Sequence, residues 1–297
     1  VITNEVNPMT QVTSPIEGIA VTSEDFFNLP SPQMTPRHML ALYQKIKGFK
    51  TKKAGFYLIE KSIKVYWGDI SLVKAEYLLF ETALKNGTYV YYHLVSGTDL
   101  PIKSQDYIHE FFHKNSGKEF VGFWQNAAHQ RDLERKVFRY YFFTQRLKDK
   151  GNLLHEITSL IRNAVLALHK ISNYRRKTTF EFKKGGQWVS ITENAVSYLL
   201  QYKSTILKRM KYTLCPDEIF IQTLLWNSPF REKMYCINDA NIGCMRDIDW
   251  ERGNPYIWQN SDYKRLVDSN KIFARKFHSK QMQVVHEIQK SYSKQHT

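Results

Sequence analysis

Apolar residues recur through residues 71–87 (SLVKAEYLLFETALKNG) at Leu72, Val73, Ala75, Leu78, Leu79 and Leu84. This is the three-and-four spacing of one helix face, with Ser71 placed to cap its start and Gly87 to stop it. The next run, TYVYYHLVSG (88–97), is a continuous apolar and aromatic stretch closed by glycine, the pattern of a buried strand. Upstream, AGFYLIEKSIKVYW (54–67) reads as two short strands about a turn. Strand–helix–strand order predicts an α/β fold with a mixed, mostly parallel sheet flanked by helices. Further helices are predicted over 37–47, 104–115, 153–172, 192–211 (with Thr192 as a cap), 216–226, 261–269 and 280–293. Strand-like stretches fall near 119–123, 137–143 and 187–191, and a looser segment covers 227–260. Residues 1–36 carry Pro8, Pro15, Pro30, Pro32 and Pro36 among Thr, Ser and Asn and hold no sustained period. They are expected to be weakly ordered, leaving 37–297 as a single domain.

Composition narrows the class. Of 297 residues, 42% are hydrophobic and 24% charged, enough for a folded core and too apolar for an intrinsically disordered chain. Lys and Arg total 43 against 28 Asp and Glu, a formal charge of +15, so an anionic partner is expected: nucleic acid, an acidic membrane face or a phosphorylated substrate. Single clusters such as Lys183-Lys184 or Arg175-Arg176-Lys177 read first as solvated faces. Cys215, Cys236 and Cys244 form neither a C-x-x-C pair nor a disulfide framework. With no apolar run of about 20 residues and no opening signal peptide, the expected location is cytoplasmic, peripheral at the inner membrane face. The sequon Asn86-Gly87-Thr88 carries weight only on a secretory route. No nucleic-acid motif accompanies the charge.

Three short motifs bear on chemistry. His109-Glu110-Phe111-Phe112-His113 fits H-E-x-x-H, two imidazoles on one helix face with a Glu placed to act on a zinc-bound water, and His129 or Glu134 would have to supply a third ligand. The same residues also read as an ordinary amphipathic helix with Tyr107, Ile108, Phe111 and Phe112 inward. Asp247-Ile248-Asp249 is an Asp-x-Asp, a pair of hard oxygen ligands suited to a divalent metal on a diphosphate. Arg246 and Arg252 beside it favour ion pairing instead. Cys215-Pro216-Asp217-Glu218 opens an apolar helix, with Pro216 in the first turn and two acids at the helix start. That segment fits either a capped helix or a fixed general base.

Taken together, YYHLVSGTDLPIKS (91–104), GGQWVSITENAVSYLL (185–200), CPDEIFIQTLLWNSPF (215–230), MRDIDW (245–250) and KIFARKF (271–277) stand in an order that resembles one family. It is that of the core-2/I-branching β-1,6-N-acetylglucosaminyltransferases, with the peptide O-xylosyltransferases as relatives, and the chain looks most like bacterial members. The resemblance implies a GT-A-like α/β fold and an inverting, metal-independent glycosyltransferase, with a UDP-sugar as donor (N-acetylglucosamine the sugar expected first) and a glycan or polysaccharide as acceptor. It implies no cofactor and no metal, and the motif readings of His109–His113 and Asp247–Asp249 lapse. The family's base matches Glu218, with Cys215 where the family has Ser. Lys276 matches the lysine that neutralises the donor diphosphate, with Arg252 or Arg275 as a second cation. Tyr66 matches a donor-site Tyr, and Asp99 lies at the strand end of the donor pocket. Trp250 and Arg135 match acceptor-binding positions. The family opens with a strand, a helix and a second strand ending in an H-x-D-K type run that cradles uridine. Nothing of that type stands before residue 56, where EGIAVTSEDFFNL (17–29) is the nearest substitute. The nucleotide-binding part is therefore expected to be incomplete, and the alternative function is a non-catalytic sugar-nucleotide or glycan-binding relative.

Overall fold

The periodic run at 71–87 forms the first long helix of the computed structural model, α1 (Ile70–Asn86), whose inward residues Val73, Tyr77 and Phe80 are fully buried. The structure describes residues 2–3, 57, 59, 63–148, 151 and 153–293. The expected helix at 37–47, the substitute segment 17–29 and most of 1–36 and 54–62 lie outside them. Asp69, not Ser71, caps α1: its Oδ2 accepts from the Ser71 N–H at 2.9 Å, and its Oδ1 accepts from the Thr144 hydroxyl. The cap thus lies two residues upstream of the predicted one, at a carboxylate whose two oxygens serve the helix start and Thr144 at once.

Elements then follow as β2 (Tyr91–His93), β3 (Asp99–Pro101), α2 (Gln105–Lys114), α3 (Ala127–Phe138), α4 (Leu153–Ile171), β4 (Ser190–Thr192), α5 (Glu193–Gln201), α6 (Lys203–Met210), α7 (Phe220–Trp226), α8 (Ala240–Cys244), β5 (Arg246–Ile248), α9 (Tyr263–Asp268), β6 (Phe273–Arg275) and α10 (Met282–Ser293). A two-residue strand, β1 (Ile2–Thr3), stands first. Ser104 caps α2 and Thr192 caps α5, each through its hydroxyl. The helix predicted over 192–211 is interrupted at Tyr202, and the stretch expected as a strand near 137–143 is instead the end of α3 and an irregular segment.

The mixed α/β class holds, but the expectation of a mostly parallel sheet is corrected. Among the described residues the strands form two three-stranded sheets, β1-β2-β4 and β3-β6-β5. Three of the four pairings are antiparallel, and β5–β6 is the parallel one. Residues 63–66, which were to supply part of the first strand of a strand–helix–strand unit, carry no strand, and among the described residues β2 pairs antiparallel with β1 and β4.

β2 is buried on both faces, which is why its sequence runs without polar interruption. Tyr92 points into the main core with α1, α5 and α7, and Tyr91 points into a second cluster with Ile108, Phe112 and Phe273. A third cluster, with Trp258, Phe277, Val284 and Ile288, seats α10 beside the second sheet. Fully buried Arg246 joins the parts: its Nη2 donates to the carbonyls of Val189 at 2.8 Å and Leu94 at 3.2 Å, and its Nη1 to Ser190 Oγ at 3.0 Å.

Candidate active site

The acidic motif sits in a sharp turn. Cys215 adopts φ +49° and ψ +58°, Pro216–Glu218 form a 3-10 turn, and α7 starts only after a break at Ile219. The left-handed conformation at Cys215 bends the chain so that the two acids part: Asp217 is buried, while the Glu218 side chain stays 28% exposed. The turn is fixed from two sides. The Cys215 N–H donates to the Gly68 carbonyl at 3.0 Å, and the Glu218 carbonyl accepts from the Gly185 N–H at 2.9 Å. Burial pushes the Cys215 thiol up to about 12, so this position supplies packing and not charge.

Glu218 is met by two lysines. Lys136 Nζ lies 3.0 Å and Lys184 Nζ 3.4 Å from its Oε2. Both also reach Asp132 Oδ2, at 3.1 Å and 2.5 Å, and Arg135 Nη2 holds Asp132 Oδ1 at 2.6 Å. The lysines are 9% and 6% exposed, so two buried cations are balanced by two half-exposed carboxylates. Burial works against the charge on Lys136, but the Glu218 and Asp132 carboxylates raise its pKa overall. Burial likewise opposes ionisation of Asp132, yet hydrogen bonds from Lys184, Arg135 and Lys136 hold it well below the usual carboxylate range.

An aromatic wall adjoins this cluster. Lys184 Nζ lies 4.9 Å from the Trp124 ring centre, His129 stacks on Trp124 at 5.0 Å, and exposed Trp250 meets it edge-on at 6.2 Å. Burial and then the Lys184 charge lower the His129 pKa, so that ring is neutral at pH 7. A carboxylate beside indole faces is suited to a polyhydroxylated ligand, whose C–H faces stack while a hydroxyl meets the acid.

The chain from Lys184 to Trp188 connects this cluster to a second one. The Arg275 guanidinium lies 4.4 Å over Trp188, and four residues of backbone span at most roughly 14 Å. Arg275 Nη1 pairs with Asp99 Oδ1 at 2.9 Å and donates to Ser96 Oγ at 2.6 Å. The two sit opposite each other across β3 and β6. Lys276 follows, half-buried, with its N–H donating to the Tyr256 carbonyl at 3.3 Å. Burial and then the neighbouring Arg275 charge lower its pKa. Among the described residues no carboxylate lies within ion-pairing distance of it. Arg252 stacks 4.0 Å over the same Tyr256 but is bound by Asp249 at 2.7 Å and Asp262 at 2.8 Å.

The structure thus brings Glu218, Arg135 and Trp250 around one cluster, and Asp99, Arg275, Lys276 and Arg252 around a neighbouring one. Tyr66 belongs to the first by connection: its turn leads to Gly68, which holds the Cys215 N–H. Asp247 and Asp249 are held by Ser269, Arg252 and Arg265; the ion pairing expected of Arg252 is present, whereas Arg246 is turned into the core and Arg265 takes its place. In α2, Ile108 and Phe112 are buried as predicted, Phe111 is half-buried, and Tyr107 is exposed; Glu110 pairs with Lys114. Among the described residues no group of three or more His, Cys, Asp or Glu is placed to hold a metal.

Sequence reasoning missed Asp132, Lys136 and Lys184. Lys184 was read within a solvated basic pair, and its burial corrects that reading. The available signal was the Gly185-Gly186 step after it: a Cβ on Gly185 would stand 1.9 Å from the Gly122 carbonyl oxygen, a sign of chains in close approach.

A family model described as Core-2/I-Branching enzyme matches residues 45–292. The chain belongs to this family. It is 26% identical over 242 residues to Xylosyltransferase 2 of Rattus norvegicus, covering 75% of this chain and 26% of that protein. With Xylosyltransferase oxt of Drosophila pseudoobscura pseudoobscura it shares 24% identity over 257 residues, 80% of this chain and 27% of the other. The chain therefore spans about a quarter of the length of the curated relatives it matches.

Proposed function

We propose that the protein is a glycosyltransferase that moves a sugar from a UDP-sugar to a hydroxyl of an acceptor glycan or peptide, inverting the anomeric centre without a metal, with Glu218 as general base. The observation that supports this most is the Glu218 carboxylate, the exposed member of the acidic pair, held by two buried lysines beside Trp124 and Trp250. Both lysine contacts fall on Oε2, which leaves Oε1 for the acceptor hydroxyl. In the transfer, Glu218 takes the hydroxyl proton as the oxygen bonds to the anomeric carbon. The bond from that carbon to the β-phosphate oxygen breaks on the opposite face, and UDP leaves. Charge growing on the phosphate is met by Lys276, the cation in that cluster not already held by a carboxylate; Arg252 and Arg275 then serve mainly to build its surroundings. A single carboxylate suffices because no covalent sugar–enzyme intermediate forms.

The donor sugar is N-acetylglucosamine or xylose, the latter because the curated relatives carry the xylosyltransferase name. The test is donor turnover with UDP-N-acetylglucosamine and UDP-xylose by wild type and Glu218→Gln. Turnover should fall by about 10²–10⁴-fold in the variant while calorimetry shows UDP binding retained. Near-wild-type turnover by the variant would remove Glu218 as base, and no UDP binding by wild type at millimolar levels would favour a non-catalytic relative. EDTA should leave the rate unchanged; strong inhibition would return Asp247 and Asp249 to consideration as metal ligands.

A further inference from the structure

Helix α4 is packed the reverse of a helix on a water-facing surface. Its side toward the protein carries Thr158 and Arg162, both buried, with His155 and His169 half-buried beside them. Its opposite side carries Leu153, Ile157, Leu160, Ile161, Leu168 and Ile171, all exposed, with Leu160 at 70%, Leu168 at 63% and Ile171 at 82%. At 3.6 residues per turn these six fall in a stripe about 100° wide that runs the length of the helix, roughly 28 Å. Scattered exposed leucines need no explanation, but a contiguous stripe marks a surface that meets something apolar. The helix is seated in this orientation. Leu166, on its inner side, packs on the cluster of Tyr141, Leu214 and Cys215, and His155 Nδ1 lies 2.6 Å from the Arg146 carbonyl oxygen.

Charge selects the partner. From Arg139 to Lys177 the sequence holds nine Lys and Arg against two acids, Asp149 and Glu156, within a chain of net charge +15. Lys148 before the helix and Lys170 and Lys177 at and beyond its end are exposed. Lys148 Nζ also lies 4.7 Å over Trp67, an exposed indole next to Gly68, against whose position Leu147 and Cys215 pack. Tryptophan and lysine together favour the headgroup level of a bilayer. A second copy of the chain would bring like charge against like charge. Among the described residues no helix is long and apolar enough to cross a membrane, so the stripe suits a helix lying in the membrane plane.

We propose that α4 is a membrane-docking helix: its leucine and isoleucine stripe enters the boundary between headgroups and acyl chains of an anionic bilayer, while the basic residues flanking it meet lipid phosphates. The proposal does not rest on the catalytic reading. It is tested by co-sedimentation of the full chain with vesicles of phosphatidylcholine alone and of phosphatidylcholine with about a third phosphatidylglycerol. Wild type should pellet with the anionic vesicles and remain in solution with the neutral ones. The double variant Leu160→Glu/Leu168→Glu changes two exposed side chains and should keep the wild-type circular dichroism, melting temperature and UDP binding, yet lose anionic-vesicle binding by about tenfold or more. Three results would overturn the proposal. One is wild type staying in solution with anionic vesicles, and another is the double variant pelleting as well as wild type. The third is a concentration-dependent dimer, seen by light scattering and abolished by the double variant, with no vesicle binding, which would assign the stripe to a second copy.

Discussion

Lys184 shows how far a residue's role depends on what surrounds it. In the sequence it is half of a basic pair; in the fold its side chain is 6% exposed and its Nζ is placed between Asp132 and Glu218. Replacing it by Met keeps most of the volume but removes the cation, leaving Asp132 and Glu218 to share Lys136. Breaking a buried ion pair costs up to about 3–5 kcal/mol, and since both carboxylates are partly solvated, Lys184→Met should cost roughly 2–3 kcal/mol. Chemical denaturation reads this as a lower midpoint with an unchanged slope, and an unchanged midpoint would show that the lysine is not structural. The same variant should lose donor turnover, because Lys184 also orients the Glu218 carboxylate. Glu218 itself was legible, since an acidic pair after Pro216 at a helix start signals either a cap or a base. That Glu218 faces out while Asp217 is buried follows from the left-handed turn at Cys215, which the residue types alone do not announce.

At the scale of elements, the loop entering β4 is the part the candidate site depends on most. Its Lys184 reaches Glu218, its Gly185 N–H supports the Glu218 carbonyl, its Gly186 carbonyl accepts from Gln222 Nε2 at 2.7 Å, and its Trp188 lies under Arg275. A methyl group at 185 has no room, with the Gly122 carbonyl oxygen at 1.9 Å and its carbon at 2.9 Å. Gly185→Ala should therefore push the loop off Gly122 and shift the Glu218 turn. Donor turnover should fall at least about tenfold, as a displacement of about 1 Å already costs more than that. Crystals or amide exchange would locate the change at 184–188 and 215–218; full activity in Gly185→Ala would mean that the loop does not position the base. Periodicity found α1, α2, α4 and α10 within a few residues of their ends, because each carries a long one-sided apolar register. It missed α3, whose sequence is mostly polar, with few apolar positions to mark a face, and whose helical state rests on an Asn126 cap and on Leu133 and Val137 packing inward. It also merged α5 with α6, where the interruption at Tyr202 leaves no Gly or Pro signal.

The whole molecule carries a pH response in its core. His93 is buried between the two sheets, its Nδ1 2.7 Å from Ser190 Oγ, with its ring against Phe112 and Phe273 and Arg246 close by. Burial first, and then the Arg246 charge, lower its pKa well below the ordinary 6.5. The folded chain thus keeps this imidazole neutral, while the unfolded chain binds a proton once pH falls below about 6.5. The unfolded state then holds more protons, so the stabilisation is complete above pH 6.5 and declines by about 1.4 kcal/mol per pH unit below it. Thermal melts between pH 7.5 and 5, a range set by the roughly 6.5 reference value, should show this decline, and His93→Gln should flatten it. Equal slopes in both proteins would show that His93 is not the source. Asp132, held ionised by its three cations, adds a separate loss only at lower pH, as its depressed pKa is approached.

By itself the sequence determined the mixed α/β class, the long one-sided helices, the strand at 91–93 and the positions of Glu218, Lys276 and Trp250 within ordered motifs. The class, the helices and the strand depend on local spacing, which a chain carries along its length; the three residues were reached through the resemblance that five ordered motifs carry. Tertiary structure alone decided that Lys136 and Lys184 share Asp132 and Glu218, that Arg252 is bound by two carboxylates while Lys276 is not, and that α4 turns its apolar side outward. Each of these is set by how the chain packs: Lys136 meets Glu218 across 82 residues and Lys184 meets Asp132 across 52, and even Arg252 depends on Asp262 being turned toward it. The leucines of α4 are spaced as a core helix would space them. Only the burial of Thr158 and Arg162 on the opposite side shows that the apolar face lies on the surface of the protein.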